Sequence, residues 1–146
     1  MMRRLMFTAA VLLFAGFFAF AGRAAEKEEA LPAFLEGSYD VIGRYPDGGK
    51  TYCGIMTLER KGDRLSMTRV VGGRTSTGSA AIVTITADAI AVLQADFVAG
   101  GQRLRATYTI GSDADNYARL TGKVYTVERK TRVPGLEALF MRHPTE

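Results

Sequence analysis

The chain has 146 residues, with 19 Lys plus Arg against 15 Asp plus Glu, one cysteine and one histidine. Arg3, Arg4 and Arg23 all precede the first acid, Glu26, which leaves 16 basic against 15 acidic residues from Ala25 onward. That near balance argues against a nucleic-acid partner or a polybasic membrane surface, and a lone thiol excludes an internal disulfide.

Residues 1–21 read as a signal peptide. Arg3 and Arg4 form a positive start, Leu5 to Phe20 carries no charge, and Ala19-Phe20-Ala21 fits the small-x-small cleavage pattern. At about 1.5 Å per residue this run makes about 24 Å of helix, short of the roughly 30 Å hydrocarbon core. A cut after Ala21 is expected, with Ala24 as the alternative site and an uncleaved anchor as the competing reading. No cysteine follows the apolar run and the arginine pair lacks twin-arginine surroundings, so Sec-type export to the periplasm or beyond is expected, with no stable membrane span after cleavage.

Residues 22–36, with Glu26-Lys27-Glu28-Glu29 and then Pro32, read as a linker or short helix. From residue 37 to 142 strands alternate with turns. The first strand, from Gly37 to Tyr45, meets Pro46-Asp47-Gly48-Gly49, where proline presets φ, the aspartate can bond the backbone beyond it, and the glycines accept positive φ. Lys50 to Arg60 returns through Lys61-Gly62-Asp63 to Arg64–Val71, and Gly72-Gly73 has the form of a two-residue hairpin loop.

A fourth strand runs from Arg74 to Thr84. The stretch from Ala87 to Val98 is ambiguous: its alanines and Leu93 suit a helix, while Ile90, Val92 and Phe97 favour a strand. Gln102–Ile110 alternates most clearly, with Leu104, Ala106, Tyr108 and Ile110 on one face and Arg103, Arg105, Thr107 and Thr109 on the other. Tyr117 to Val127 and Leu136 to Arg142 complete eight strands, and residues 143–146 are a tail. In the second strand Tyr52, Gly54, Met56 and Leu58 share one face and Cys53 and Ile55 the other; the pattern leaves open which face is inside. Cys53 is expected to be buried and inert.

Eight short strands with hairpin-length turns predict an all-β fold, an antiparallel up-and-down meander closing as a small barrel. Closure removes exposed strand edges, and an eight-stranded bore is either filled by side chains or holds one small ligand. A β-sandwich is the alternative.

Gly37-Ser38-Tyr39, Pro46-Asp47-Gly48, Tyr52-Cys53-Gly54, Gly72-Gly73, Gly78 and Gly135-Leu136-Glu137 before Ala138-Leu139-Phe140 resemble a pattern in small exported bacterial domains, some loosely labelled fibronectin-binding. The similarity covers roughly residues 37 to 142, but the tryptophan expected in the middle strands is absent. The opening Gly-x-Tyr is similar to the Gly-x-Trp of lipocalin-like (calycin) barrels, in which a late arginine covers the aromatic ring; Arg142 or Arg119 would serve here. The resemblance implies a barrel and transfers no catalytic or ligand residue.

His143, three residues from the C-terminus, cannot by itself build a metal cluster or a Ser-His-Asp triad. Gly111-Ser112-Asp113-Ala114-Asp115-Asn116 lacks the spacing of a calcium loop, and reads as a solvated turn. No nucleotide fingerprint precedes a helix. The expectation is therefore a non-catalytic protein without cofactor or metal; an enzyme would need two or three of Asp40, Glu59, Asp96, Glu137 and Arg119 brought into one pocket.

A binding site is better supported. Tyr39, Tyr52, Tyr108 and Tyr125 fall on different strands, and a ring with a hydroxyl suits an amphipathic cavity. Arg119 sits near the centre of a strand, where a cation needs solvent or a partner. Tyr39, Tyr52, Tyr108 and Arg119 are the candidate site for a small apolar or amphipathic ligand. The alternative is that the tyrosines are core and rim residues, Arg119 points outward, and a filled barrel presents its loops to an envelope protein. The basic run Glu128-Arg129-Lys130-Thr131-Arg132 is a solvated loop or a contact for such a partner. An interior volume above about 300 Å³ favours the ligand.

Overall fold

The computed structural model describes residues 30–111, 118–128 and 130–142. The expected signal peptide, the turn carrying Asp113 and Asp115, Arg129 and His143 lie outside the described residues. The chain divides into two units, Met1–Phe34 and Leu35–Glu146. Residues 30–35 are helical, and no helix among the described residues is long and apolar enough to cross a membrane.

The second unit is a closed barrel of eight antiparallel strands in chain order: β1 (Gly37–Arg44), β2 (Thr51–Lys61), β3 (Arg64–Val71), β4 (Arg74–Ile85), β5 (Ile90–Ala99), β6 (Gln102–Ile110), β7 (Ala118–Thr126) and β8 (Gly135–Met141). Closure comes from β1 pairing β8 over Tyr39↔Met141 to Arg44↔Leu136. That ladder is the difference between a barrel and the sandwich alternative, because it leaves no free edge. The ambiguous stretch is strand β5. Thr86 and Ala89 adopt positive φ in the preceding turn, which breaks any helical run before Ile90.

Side chains alternate between the bore and the outside, as the two-residue period demands. Tyr39 and Val41 of β1, Met56 and Leu58 of β2, Leu65 and Met67 of β3, Leu93, Ala95 and Phe97 of β5, and Leu104, Ala106 and Tyr108 of β6 form one buried core with Leu120, Val124 and Leu139. On β2 the face with Tyr52, Gly54, Met56 and Leu58 is therefore the inner one. Cys53 shares the outer face with Ile55 and is exposed. The expectation of a buried thiol fails because burial follows strand parity, not residue type.

Several inward positions are glycine, and space explains them. A Cβ on Gly54 would strike the Val70 carbonyl, one on Gly78 the Asp96 carbonyl, and one on Gly122 the Thr107 carbonyl. At these points neighbouring strands approach more closely than a side chain allows, as tight barrel curvature requires.

Candidate functional site

Two inward positions break the apolar pattern with opposite charges. Arg69 follows Leu65 and Met67 on the inner face of β3, and Glu137 lies between Gly135 and Leu139 on the inner face of β8. Both are buried, at 3% and 4% exposure. An isolated charge there would be expensive, so each needs a partner.

They are each other's partner. Arg69 Nη1 donates to Glu137 Oε2 at 3.1 Å and Nη2 donates to Oε1 at 2.6 Å. The Tyr52 hydroxyl donates to Oε1 and the Tyr108 hydroxyl to Oε2. A carboxylate offers about four lone-pair sites, and these donors occupy them all. Arg69 also lies 4.2 Å from the centroid of the Phe97 ring, a cation–π contact within a desolvated space.

The glycines make this convergence possible. Gly43 on β1 is the cross-strand partner of both Tyr52 and Glu137. On the other flank, Gly122 on β7 is the partner of both Tyr108 and Glu137. A Cβ on Gly43 would lie 2.6 Å from the Tyr52 hydroxyl oxygen, and one on Gly122 would lie 2.7 Å from Tyr108 Cδ1. Each tyrosine ring thus crosses a bare backbone to reach a carboxylate two strands away.

Burial sets the protonation of this cluster. Desolvation, with the Glu137 charge added, holds the Tyr52 hydroxyl far above its ordinary pKa of 10.0. Tyr108 is raised well above the same value, again by desolvation first and Glu137 next. Desolvation alone would lower Arg69, but the adjacent carboxylate reverses that and raises it. The two phenols are therefore neutral donors and Arg69 is a cation.

Above the cluster the bore opens into a cavity of about 560 Å³. Its floor includes Tyr52, Arg69, Phe97, Leu104 and Val124, and its rim is built by the connections β1–β2, β3–β4, β5–β6 and β7–β8. The rim is braced. Asp47 Oδ1 accepts the backbone N–H groups of Arg132 at 2.9 Å and Val133 at 2.7 Å, and the Asp47 N–H donates to the Val133 carbonyl at 3.0 Å. The aspartate of the Pro46-Asp47-Gly48-Gly49 turn thus ties β1–β2 to the distant β7–β8 connection rather than to backbone just beyond it. Tyr45 packs its ring against Tyr52, centroids 4.3 Å apart.

The four candidate site residues separate. Tyr52 lines the cavity, and Tyr108 lies beneath it in the carboxylate cluster. Tyr39 is buried away from this cavity and donates to the Leu35 carbonyl at 2.8 Å. Its hydroxyl is pushed up to about 12 by burial, partly offset by the positive charge of Arg119. Arg119 is half-buried at the irregularity where the β7–β8 register shifts between Ala118 and Leu120, and it does not line the mouth. Of the two late arginines, Arg119 acts on Tyr39, whereas Arg142 pairs with Asp40 at 3.4 Å. Tyr125 faces outward, 39% exposed.

Nor do the carboxylates named for an enzyme share a pocket. Asp40 and Glu59 are exposed, and Asp96 forms a bidentate pair with Arg105 on the outer face at 2.6 and 2.7 Å. Glu137 alone is inside. Arg69 was absent from the expected set, although its signal was legible: a cation in phase with Leu65 and Met67, matched by an acid in phase with Leu139.

No family model and no curated protein matches this chain. Among solved structures it is similar to a redesigned β-barrel, with a TM-score of 0.53 and 17% identity over 77% of this chain and 95% of that one. The chain is a small eight-stranded β-barrel protein, and that likeness shows the fold alone.

Proposed function

We propose that this protein is an exported, non-catalytic barrel that binds one small amphipathic molecule in its mouth cavity. The observation that carries the reading is the volume of about 560 Å³ above the Arg69–Glu137 cluster, within the range of small-molecule sites. Its walls combine apolar Phe97, Leu104 and Val124 with hydroxyls from Thr75, Ser76 and Tyr52. Every acceptor site of Glu137 is engaged, which leaves the one carboxylate buried among the described residues without the free lone pair that a general base needs.

Native mass spectrometry of protein purified from a membrane-containing lysate tests this. A bound small molecule is expected, and its loss in Ser76→Trp, which fills the cavity from β4. A clean apo mass in both proteins counts against the reading. Export by the Sec route rests on residues 1–21, and an intact mass starting at Gly22 (or Ala25) in the periplasmic fraction is the expected result; an unprocessed cytoplasmic product overturns it.

A second reading is an envelope interaction protein. It draws on exposed Ile42, Ile55, Val70 and Leu136 on the outer surface of β1, β2, β3 and β8, and on the filled bore below the cluster. Crosslinking in the periplasm distinguishes it: repeated recovery of the lone protein counts against a partner.

A further inference from the structure

The mouth cavity differs between floor and rim, and the difference assigns an orientation to what it holds. At the floor the charge of Arg69 is already balanced by Glu137, whose oxygens are fully engaged. An anionic group driven down to Arg69 would lie beside that carboxylate in a desolvated space, a costly placement. The rest of the floor, Phe97, Leu104 and Val124, asks for apolar surface.

At the rim the situation is reversed. Arg74, the first residue of β4 after the Gly72-Gly73 hairpin, and Lys130, in the β7–β8 connection, both line the opening and are exposed. Among the described residues neither is paired with a carboxylate. Asp47, the one acid among the described lining residues, is held on the Arg132 and Val133 backbone through Oδ1 and keeps its charge, so the rim carries two cations against one carboxylate. The rim thus keeps a net positive charge where the cavity meets water, above apolar walls.

We infer that the ligand is a small amphipathic anion bound head out, with its carboxylate or sulfonate-type oxyanion at the rim in the positive field of Arg74 and Lys130 and its apolar body down on Phe97, Leu104 and Val124. This rests on the cavity-binding reading and adds to it the sign and direction of the ligand. Exposed ion pairs are individually weak, so the two together contribute about tenfold in affinity, and salt reduces that margin.

Two fluorescent probes with the same aromatic body separate the claims: anilinonaphthalene sulfonate, which is anionic, and phenylnaphthylamine, which is neutral. Both are titrated into the full chain purified as expressed, at low and high salt. The sulfonate is expected to bind one-to-one about tenfold more tightly at low salt, with the margin shrinking as salt rises. The double variant Arg74→Gln, Lys130→Gln should remove the margin and leave the neutral probe unchanged, while Ser76→Trp should abolish both. Equal affinities in the native protein, a margin that survives the double variant, or sulfonate binding to the filled variant overturns the head-out anion and leaves the cavity reading standing if the neutral probe binds. Binding of neither probe overturns both.

Discussion

Tyr52 and Tyr108 stand on strands β2 and β6, on opposite sides of the eight-strand ring, and their hydroxyls close on opposite oxygens of one carboxylate, Glu137. With the Arg69 fork they make a polar layer across the bore. Below it the barrel is packed with apolar side chains, and above it the cavity opens. A layer of this kind sets where the core ends, because each member needs all the others to justify its burial.

The ion pair is expected to behave as a unit. Glu137→Gln leaves Arg69 as an uncompensated buried charge and should cost about 3–5 kcal/mol in urea unfolding. The double change Arg69→Met, Glu137→Leu removes both charges and should recover part of that loss, the remainder being the buried Tyr108 hydroxyl left without its acceptor. A double variant no more stable than the single one would contradict the account of Glu137 as Arg69's counterion.

The two flanking glycines should differ in sensitivity. Gly43→Ala meets only the movable end of the Tyr52 ring, so it should cost about 1 kcal/mol and detach that hydroxyl from Glu137. Gly122→Ala meets the Thr107 backbone as well as the Tyr108 ring and should cost about 3 kcal/mol or more. Thermal melts of the pair check the order.

At alkaline pH the buried phenols should govern stability. Tyr39, Tyr52 and Tyr108 all have folded pKa values above the ordinary 10.0, for which burial is the first cause. The folded state therefore binds more protons than the unfolded chain once pH exceeds about 10. Stability from these groups is complete below that point and falls as pH rises through the folded values, by about 1.4 kcal/mol per pH unit for each tyrosine. For Tyr39 the window closes at about 12. A tyrosinate absorbance titration should show these three ionising together with loss of the barrel's circular dichroism; gradual ionisation near 10 with the fold intact would refute the buried cluster.

Cys53 should react like a surface thiol. It lies on the outer face of β2 and is exposed, so a thiol reagent should label the folded protein at the rate seen in denaturant, and Cys53→Ser should shift stability by less than about 0.5 kcal/mol. Labelling that requires unfolding would reverse the assigned strand parity.

The strand and turn order was legible along the chain because it is local. Gly72-Gly73 and Gly100-Gly101 adopt the positive φ that hairpin loops demand, and the alternation of Leu104, Ala106, Tyr108 and Ile110 against Arg103, Arg105, Thr107 and Thr109 specifies a strand with one inner face. The meander and its closure follow from that spacing. Tyr52 and Tyr108 were also recognisable as candidates, since each falls in phase with apolar neighbours.

What local pattern could not decide was which inward groups meet. Arg69 and Glu137 are 68 residues apart, and their pairing depends on how far β3 and β8 lie around a closed ring. Parity decides that a side chain enters the bore; height along the barrel decides what it finds there. Tyr39 and Tyr52 share that inward sense, yet one is tied to the Leu35 carbonyl and the other borders an open mouth. Only register, fixed by eight ladders at once, converts a list of inward residues into a polar layer with a cavity above it.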